Sequence, residues 1–157
     1  MAFPIFFFLA WLVTFLFGVM PKKLSLVEYT FVFLIGLIVS INFSWVTVNE
    51  LEVIKRTEEA LPYTAYLLNR SIIIPMLLLI QLNMSMLRDT FLWKTVTILS
   101  IVLILVGVSY LMTALDMTAH THWNLGFDAI YFFLLNLVAL LAYCIMEGVS
   151  EKAVNHT

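Results

Sequence analysis

Charge is scarce in this sequence. Only 11% of its 157 residues are Asp, Glu, Lys or Arg, where a soluble domain carries about 25%. So few polar groups cannot clothe a water-facing surface, which excludes a soluble globular domain. Disorder is excluded as well, because it needs low hydrophobicity and high charge, and 63% of this chain is hydrophobic. Basic runs are missing. Eight Lys+Arg against ten Asp+Glu leave a net charge of −2. No stretch can neutralise consecutive phosphates, so nucleic acid is not expected as a partner. The single cysteine, Cys144, cannot close an internal disulfide. Its apolar setting predicts a buried, unreactive thiol. Histidine is absent from every long apolar run, which excludes bis-histidine haem ligation. There is no Walker loop, GxSxG, HExxH or CxxC. These absences argue against an ATPase, a haem redox carrier or a standard intramembrane protease. No cofactor is expected.

What the chain does have is apolar length. A spanning helix needs roughly 17–25 mostly apolar residues. Five segments qualify, at about 4–20, 27–48, 63–86, 91–115 and 124–146. Runs such as VTILSIVLILVGV are apolar all round, unlike the alternating strands of a barrel. The expected fold is therefore all-α: a single domain over 1–157, an integral membrane bundle of five transmembrane helices. The first segment is expected to be retained, because MAFP before it is not basic and no small-residue cleavage pattern follows. The connection NELEVIKRTEEALP suggests a short interfacial amphipathic helix at about 50–61, or an extension of the second span. Asn49 and Glu52 form a capping-box-like pair there, and Glu52–Arg56 and Lys55–Glu59 are spaced four apart. Trp11, Trp45, Trp93 and Trp123 fall mostly towards span ends, as belt residues do. The Asn-x-Ser matches at Asn42, Asn69 and Asn83 lie within spans, and with the terminal Asn155-His156-Thr157 they read as chance.

Polar residues inside spans carry the functional information. Arg70 is about 10 Å into the third span, Asp128 about 6 Å into the fifth and Asn42 about 9 Å from the end of the second, at 1.5 Å per residue. Tyr110 in the fourth lies at a similar level. With Asn69 they form one intramembrane polar layer. Arg70 and Asp128 are the natural pair, since a guanidinium fork suits a carboxylate. Three readings stay open: an internal ion pair that fixes register, an Arg70 that reaches the surface alone, or a site for a substrate, ion or lipid headgroup. Gln81, Asn83 and Asn136 are expected to join neighbouring helices. Pro75 should kink the third span or free a carbonyl near Ser71. Asp116, His120 and His122 offer ligand types suited to zinc in the fourth connection, but their spacing matches no strong motif.

Several features resemble a family of small multi-span membrane proteins of spore-forming Gram-positive bacteria. They are the Trp-containing first span, Pro21-Lys22-Lys23, and Leu61-Pro62 with Tyr66-Leu67-Leu68, Pro75, Gln81 and Asn83. Trp123 and the aromatic Tyr131-Phe132-Phe133 complete them. The sequence departs from that family at Asn69-Arg70, where an acidic residue is usual. The resemblance implies five spans in a bacterial plasma membrane and brings no activity with it. The leading expectation for function is a non-enzymatic membrane component acting through helix contacts with a protein partner or a second copy, within the lipid bilayer. The alternatives are a small transporter or lipid-handling protein using the Arg70/Asp128 layer, and a membrane enzyme with a His/Asp loop site.

Basic residues predict orientation. Lys22, Lys23, Arg88, Lys94 and Lys152 fall on one side of the bundle, and only Lys55 and Arg56 on the other. The N-terminus is expected outside and the C-terminus in the cytoplasm. Reporters fused to each end should be active accordingly; a cytoplasmic N-terminus would overturn the assignment.

Overall fold

The computed structural model describes residues 1–57, 59–88, 90–120 and 124–154. Helix α1 spans Ala2–Val19 and α2 spans Leu26–Trp45. A π-helical turn, Val46–Glu50, continues α2. Strand β1, Ile54–Arg56, follows. Helix α3, Ala60–Leu68, runs through a second π-turn, Asn69–Ile73, into α4, Ile74–Ser85. Helix α5 spans Phe91–Ala114, β2 spans Thr118–His120 and α6 spans Leu125–Val154. Five helical stretches are long and apolar enough to cross a membrane: Ala2–Val19, Leu26–Glu50, Ala60–Ser85, Phe91–Ala114 and Leu125–Val149. The chain is an all-α bundle of multi-pass type, with span ends within a few residues of those expected.

The third span sits at the centre. Its two helices and π-turn pack against α1, α2, α5 and α6. That is why the least apolar span is also the most buried one, and why it can hold amides. Each outer helix presents one stripe to it. In α1 the stripe is Ala2, Phe6, Ala10 and Val13, while Phe7, Phe8, Trp11 and Phe15 face away. In α2 it is Tyr29, Val32, Gly36, Ser40 and Ser44, continued by Thr47. Spacings of three and four keep these residues on one helix face. A Cβ on Gly36 would lie 3.2 Å from Leu78 Cδ1 and 4.0 Å from Pro75, so the missing side chain lets α2 approach the third span closely.

The interfacial helix expected over 50–61 does not form. The π-turn carries the second span on to Glu50, Glu52 takes a left-handed φ of 49°, and β1 pairs antiparallel with β2. The register sets Ile54 opposite His120 and Arg56 opposite Thr118. Thr57 N–H extends the ladder to the Met117 carbonyl at 3.0 Å. The four-apart charge pairs offered only a few tenths of a kcal/mol each. Val53, Ile54 and Thr57 are β-branched and fit a ladder with a segment far along the chain. The capping box is found at Ser25 and Glu28 instead. Ser25 N–H donates to Glu28 Oε2 at 2.7 Å, and Glu28 N–H to Ser25 Oγ at 3.3 Å.

The end of the bundle opposite this ladder is tied by Asn83, which is fully buried. Its Oδ1 accepts from Lys23 N–H at 2.8 Å and from the Tyr29 hydroxyl at 2.6 Å, and its Nδ2 donates to the Pro21 carbonyl at 2.8 Å. One side chain thus holds the first connection and α2 against the third span. The other two amides do not bridge helices in this way. Asn136 Nδ2 donates to the Phe132 carbonyl of its own helix at 2.8 Å, and the Gln81 amide has no partner among the described residues. Cys144 is exposed on α6 rather than buried, because it lies off the stripe of Leu135, Ala139 and Ala142. Trp45 lies near a span end, and Trp93 Nε1 donates to the Met84 carbonyl at 2.9 Å. Trp11 lies mid-helix instead, and Trp123 falls outside the described residues.

Replacing Asn83 with Leu should cost about 2–4 kcal/mol, since three hydrogen bonds go and their partners are stranded. Asn42→Leu, on an exposed face, should be nearly neutral. Melting curves in detergent will read the difference, and equal stability of the two variants would refute the role given to Asn83.

Candidate functional site

Proline supplies no backbone N–H. At Pro75 the helical ladder therefore loses a donor, and the turn before it is wound as π. Ile74 N–H bonds the Asn69 carbonyl, five residues back. The next π-type bond would run from residue 75 to the Arg70 carbonyl. That carbonyl is taken instead by the Ser40 hydroxyl of α2, at 3.4 Å. The expectation for Pro75 thus resolves into a π-turn with Arg70 inside it.

Above this turn, towards the ladder end, lies a partly enclosed cavity of about 80 Å³. The second span lines it with Ser40, Phe43, Ser44, Thr47 and Val48. The third contributes Tyr66, Asn69, Arg70 and Ile74, and α5 contributes Ser109 and Met112. Asp128, Tyr131 and Phe132 come from α6, and Ile54 and Thr118 from the two strands. The volume suffices for several waters or a small polar group.

Arg70 is half-buried. Helical side chains lean towards their helix N-terminus, so Arg70 leans to the ladder end. Its guanidinium lies 5.7 Å from the centre of the Tyr66 ring, one turn back. Nη1 donates to Ser44 Oγ at 3.4 Å, and Ser44 is in turn hydrogen-bonded to the Tyr66 hydroxyl. Nε is buried and has no partner among the described residues. Asn69 is buried beside it. Its Nδ2 meets Met112 Sδ at 2.9 Å, while its Oδ1 has no partner among the described residues. Across the cavity Asp128 is only 4% exposed, and its Oδ2 accepts from Ser109 Oγ at 2.5 Å. Phe43 and Tyr131 stack with ring centres 3.6 Å apart and form one wall.

Arg70, Asn69 and Asp128 thus come together as the sequence suggested. Asn42 and Tyr110 do not. Both are exposed, Tyr110 at 61%. Asn42 Nδ2 donates to the Ile38 carbonyl of its own helix at 2.8 Å. Depth alone had selected them, and helical phase moves them off the inner face. Asn42 lies two residues from Ser40 and from Ser44, which puts it on the opposite side of α2. Tyr110 follows Ser109, which shares the inner stripe of α5 with Ile101, Leu105 and Met112. The small-residue spacing Gly36-x3-Ser40-x3-Ser44 was the signal for the missed hydroxyls. In the fourth connection Asp116 has a left-handed φ of 55° just before β2. His122 and the His120 side chain lie outside the described residues, so that trio is not seen together.

Opposite charges and several hydroxyls thus line one cavity. No protein-family model, curated protein or solved structure matches the chain.

Arg70 and Asp128 share one poorly solvated cavity, so the loss of either charge changes the field on the other. Arg70→Met and Asp128→Leu should each cost about 2 kcal/mol, below the roughly 3–5 of a fully buried pair because Arg70 keeps some exposure. The double variant should cost clearly less than their sum. Simple additivity in thermal melts would show that the two charges do not sense each other.

Proposed function

We propose that this small multi-pass membrane protein binds a small charged or zwitterionic group in the ladder-end cavity, as a transporter or lipid-handling protein does. The observation that carries the reading is that Arg70 and Asp128 line one cavity, with Arg70 Nε and Asn69 Oδ1 buried behind its wall and without a partner among the described residues. Unmet buried donors and acceptors cost free energy, and a ligand that satisfies them recovers it. The excess of basic residues at the opposite end supports an outward-facing ladder end, with the N-terminus outside and the C-terminus cytoplasmic. The likeness of Pro21-Lys22-Lys23 and of the third span to the Gram-positive family supports a bacterial plasma membrane.

One observation favours a second reading, a component that also works through helix contacts. Trp11 is 57% exposed near the middle of α1, stacked between Phe8 and Phe15. Tryptophan ordinarily sits at the headgroup level, where its N–H is served. A partner helix over this face would supply an acceptor.

Solvent access decides between a binding cavity and a closed polar network. In a Cys144→Ser background, a small charged methanethiosulfonate reagent added from outside should label Ser109→Cys and leave Leu105→Cys, one turn deeper, untouched. An unlabelled Ser109→Cys in a folded protein would sink the binding reading.

A further inference from the structure

Two groups on the outer, lipid-facing surface of the bundle lie deep in the hydrocarbon with hydrogen-bonding capacity unused. The first is the Trp11 indole N–H. Trp11 is strongly exposed on the side of α1 turned away from the third span, stacked between Phe8 and Phe15 at 6.3 and 5.4 Å between ring centres. It lies about 14 Å from the start of α1 and about 12 Å from its end, out of reach of headgroups on either side. The N–H has no acceptor among the described residues. The second is the Asn42 side-chain carbonyl. Asn42 is exposed on α2, and its Nδ2 already donates to the Ile38 carbonyl at 2.8 Å. Its Oδ1 is left as an acceptor without a donor among the described residues. Other exposed polar groups in the spans are satisfied by their own helices: the Thr30 hydroxyl donates to the Leu26 carbonyl and the Ser100 hydroxyl to the Val96 carbonyl, each at 2.8 Å.

We propose that copies of this chain associate side by side in the bilayer, the Trp11 face of α1 in one copy against the Asn42 face of α2 in the next, with Trp11 Nε1–H donating to Asn42 Oδ1. This rests on the reading of the chain as a component that works through helix contacts, and names the partner. The two orphan groups are complementary, one donor and one acceptor, and acyl chains offer neither. Their depths agree. Pro21 is held to Asn83, and Trp11 stands ten residues before Pro21, at about 15 Å from that level. Ser40 is held to the Arg70 carbonyl, thirteen residues before Asn83, and Asn42 stands two residues beyond Ser40, at roughly 20 Å. Helical side chains lean towards their own helix N-terminus. Trp11 therefore leans to the ladder end and Asn42 away from it, which closes the difference. Copies in one membrane share one orientation, so equal depth is the condition for such a contact. Around the bond, the Phe8–Trp11–Phe15 stack meets the exposed Ile38, Ile41 and Trp45. Amides that bond across helices are the usual polar link between spans. A second copy satisfies both groups with one interface, whereas a foreign helix over α1 leaves Asn42 unserved. Because donor and acceptor sit on different helices, the contact is heterologous and repeats from copy to copy.

The test is cross-linking of the full-length protein in the membranes of cells that express it. In a Cys144→Ser background, Phe15→Cys and Ile38→Cys stand one turn inward of Trp11 and of Asn42 and face each other across the proposed contact. Both positions are exposed, so the fold of each copy is spared. Oxidation should link chains that carry both cysteines into dimers and longer multimers, and should pair the two single variants when they are co-expressed. Either single variant alone should stay unlinked. Adding Trp11→Phe or Asn42→Leu should lower the linked fraction about threefold, the average effect of one intramembrane hydrogen bond. Adding both should lower it no further than one does. Fully independent effects of the two would show that the groups do not meet. Linking by Phe15→Cys alone would put α1 against α1 and overturn the Asn42 contact. Phe15→benzoylphenylalanine, irradiated in the same membranes, separates the remaining failures. An adduct of two copies is expected. An adduct with a different protein, and no cysteine link, overturns the second copy while the helix-contact reading stands. Absence of any protein adduct sinks both.

Discussion

A proline in the middle of a buried helix removes one backbone hydrogen bond, and in lipid that loss has to be met within the protein. Around Pro75 the third span meets it by winding a π-turn and by lending the Arg70 carbonyl to Ser40 of α2. Both answers shape the site. The extra residue in the turn brings Asn69 and Arg70, neighbours in sequence, to the same cavity. The Ser40 contact fixes α2 beside the turn, and Gly36 lets it come close. The cavity exists because this break in the helix is surrounded by four other spans.

The central position of the third span explains the rest of the polar distribution. Amides and a guanidinium facing hydrocarbon would be costly. Wrapped by α1, α2, α5 and α6, they are shielded from lipid, and Asn83 and Arg70 meet hydroxyl or backbone partners there. The two ends of this span are then pinned by different chemistry. At one end Asn83 satisfies all of its contacts and ties the first connection down. At the other, the β1–β2 ladder joins the second and fourth connections over the cavity. The satisfied end reads as structure.

Helix number and span limits were legible because lipid imposes a single requirement, length of apolar sequence, that each segment meets alone. Arg70, Asn69 and Asp128 were legible for the converse reason: an ionisable or amide group in such a segment violates that requirement and stands out. Ser40, Ser44, Ser109 and Tyr66 were not, because hydroxyls raise no alarm in a membrane helix. Only their place on the inner stripe marks them. Asn42 and Tyr110 show the same point from the other side, being polar and at the right depth but at the wrong phase.

The sequence by itself determined the class of the molecule, its five spans and the presence of Arg70 and Asp128 inside two of them, since each follows from local composition. The tertiary structure alone decided that residues 54–56 form a strand rather than part of a helix, since their partner lies some sixty residues further on. It also decided which span is central, and so which polar groups are shielded and which face lipid. Those choices depend on pairings between segments distant in the chain, where energies of a few tenths of a kcal/mol in local helix pairing give way to hydrogen bonding and burial between elements.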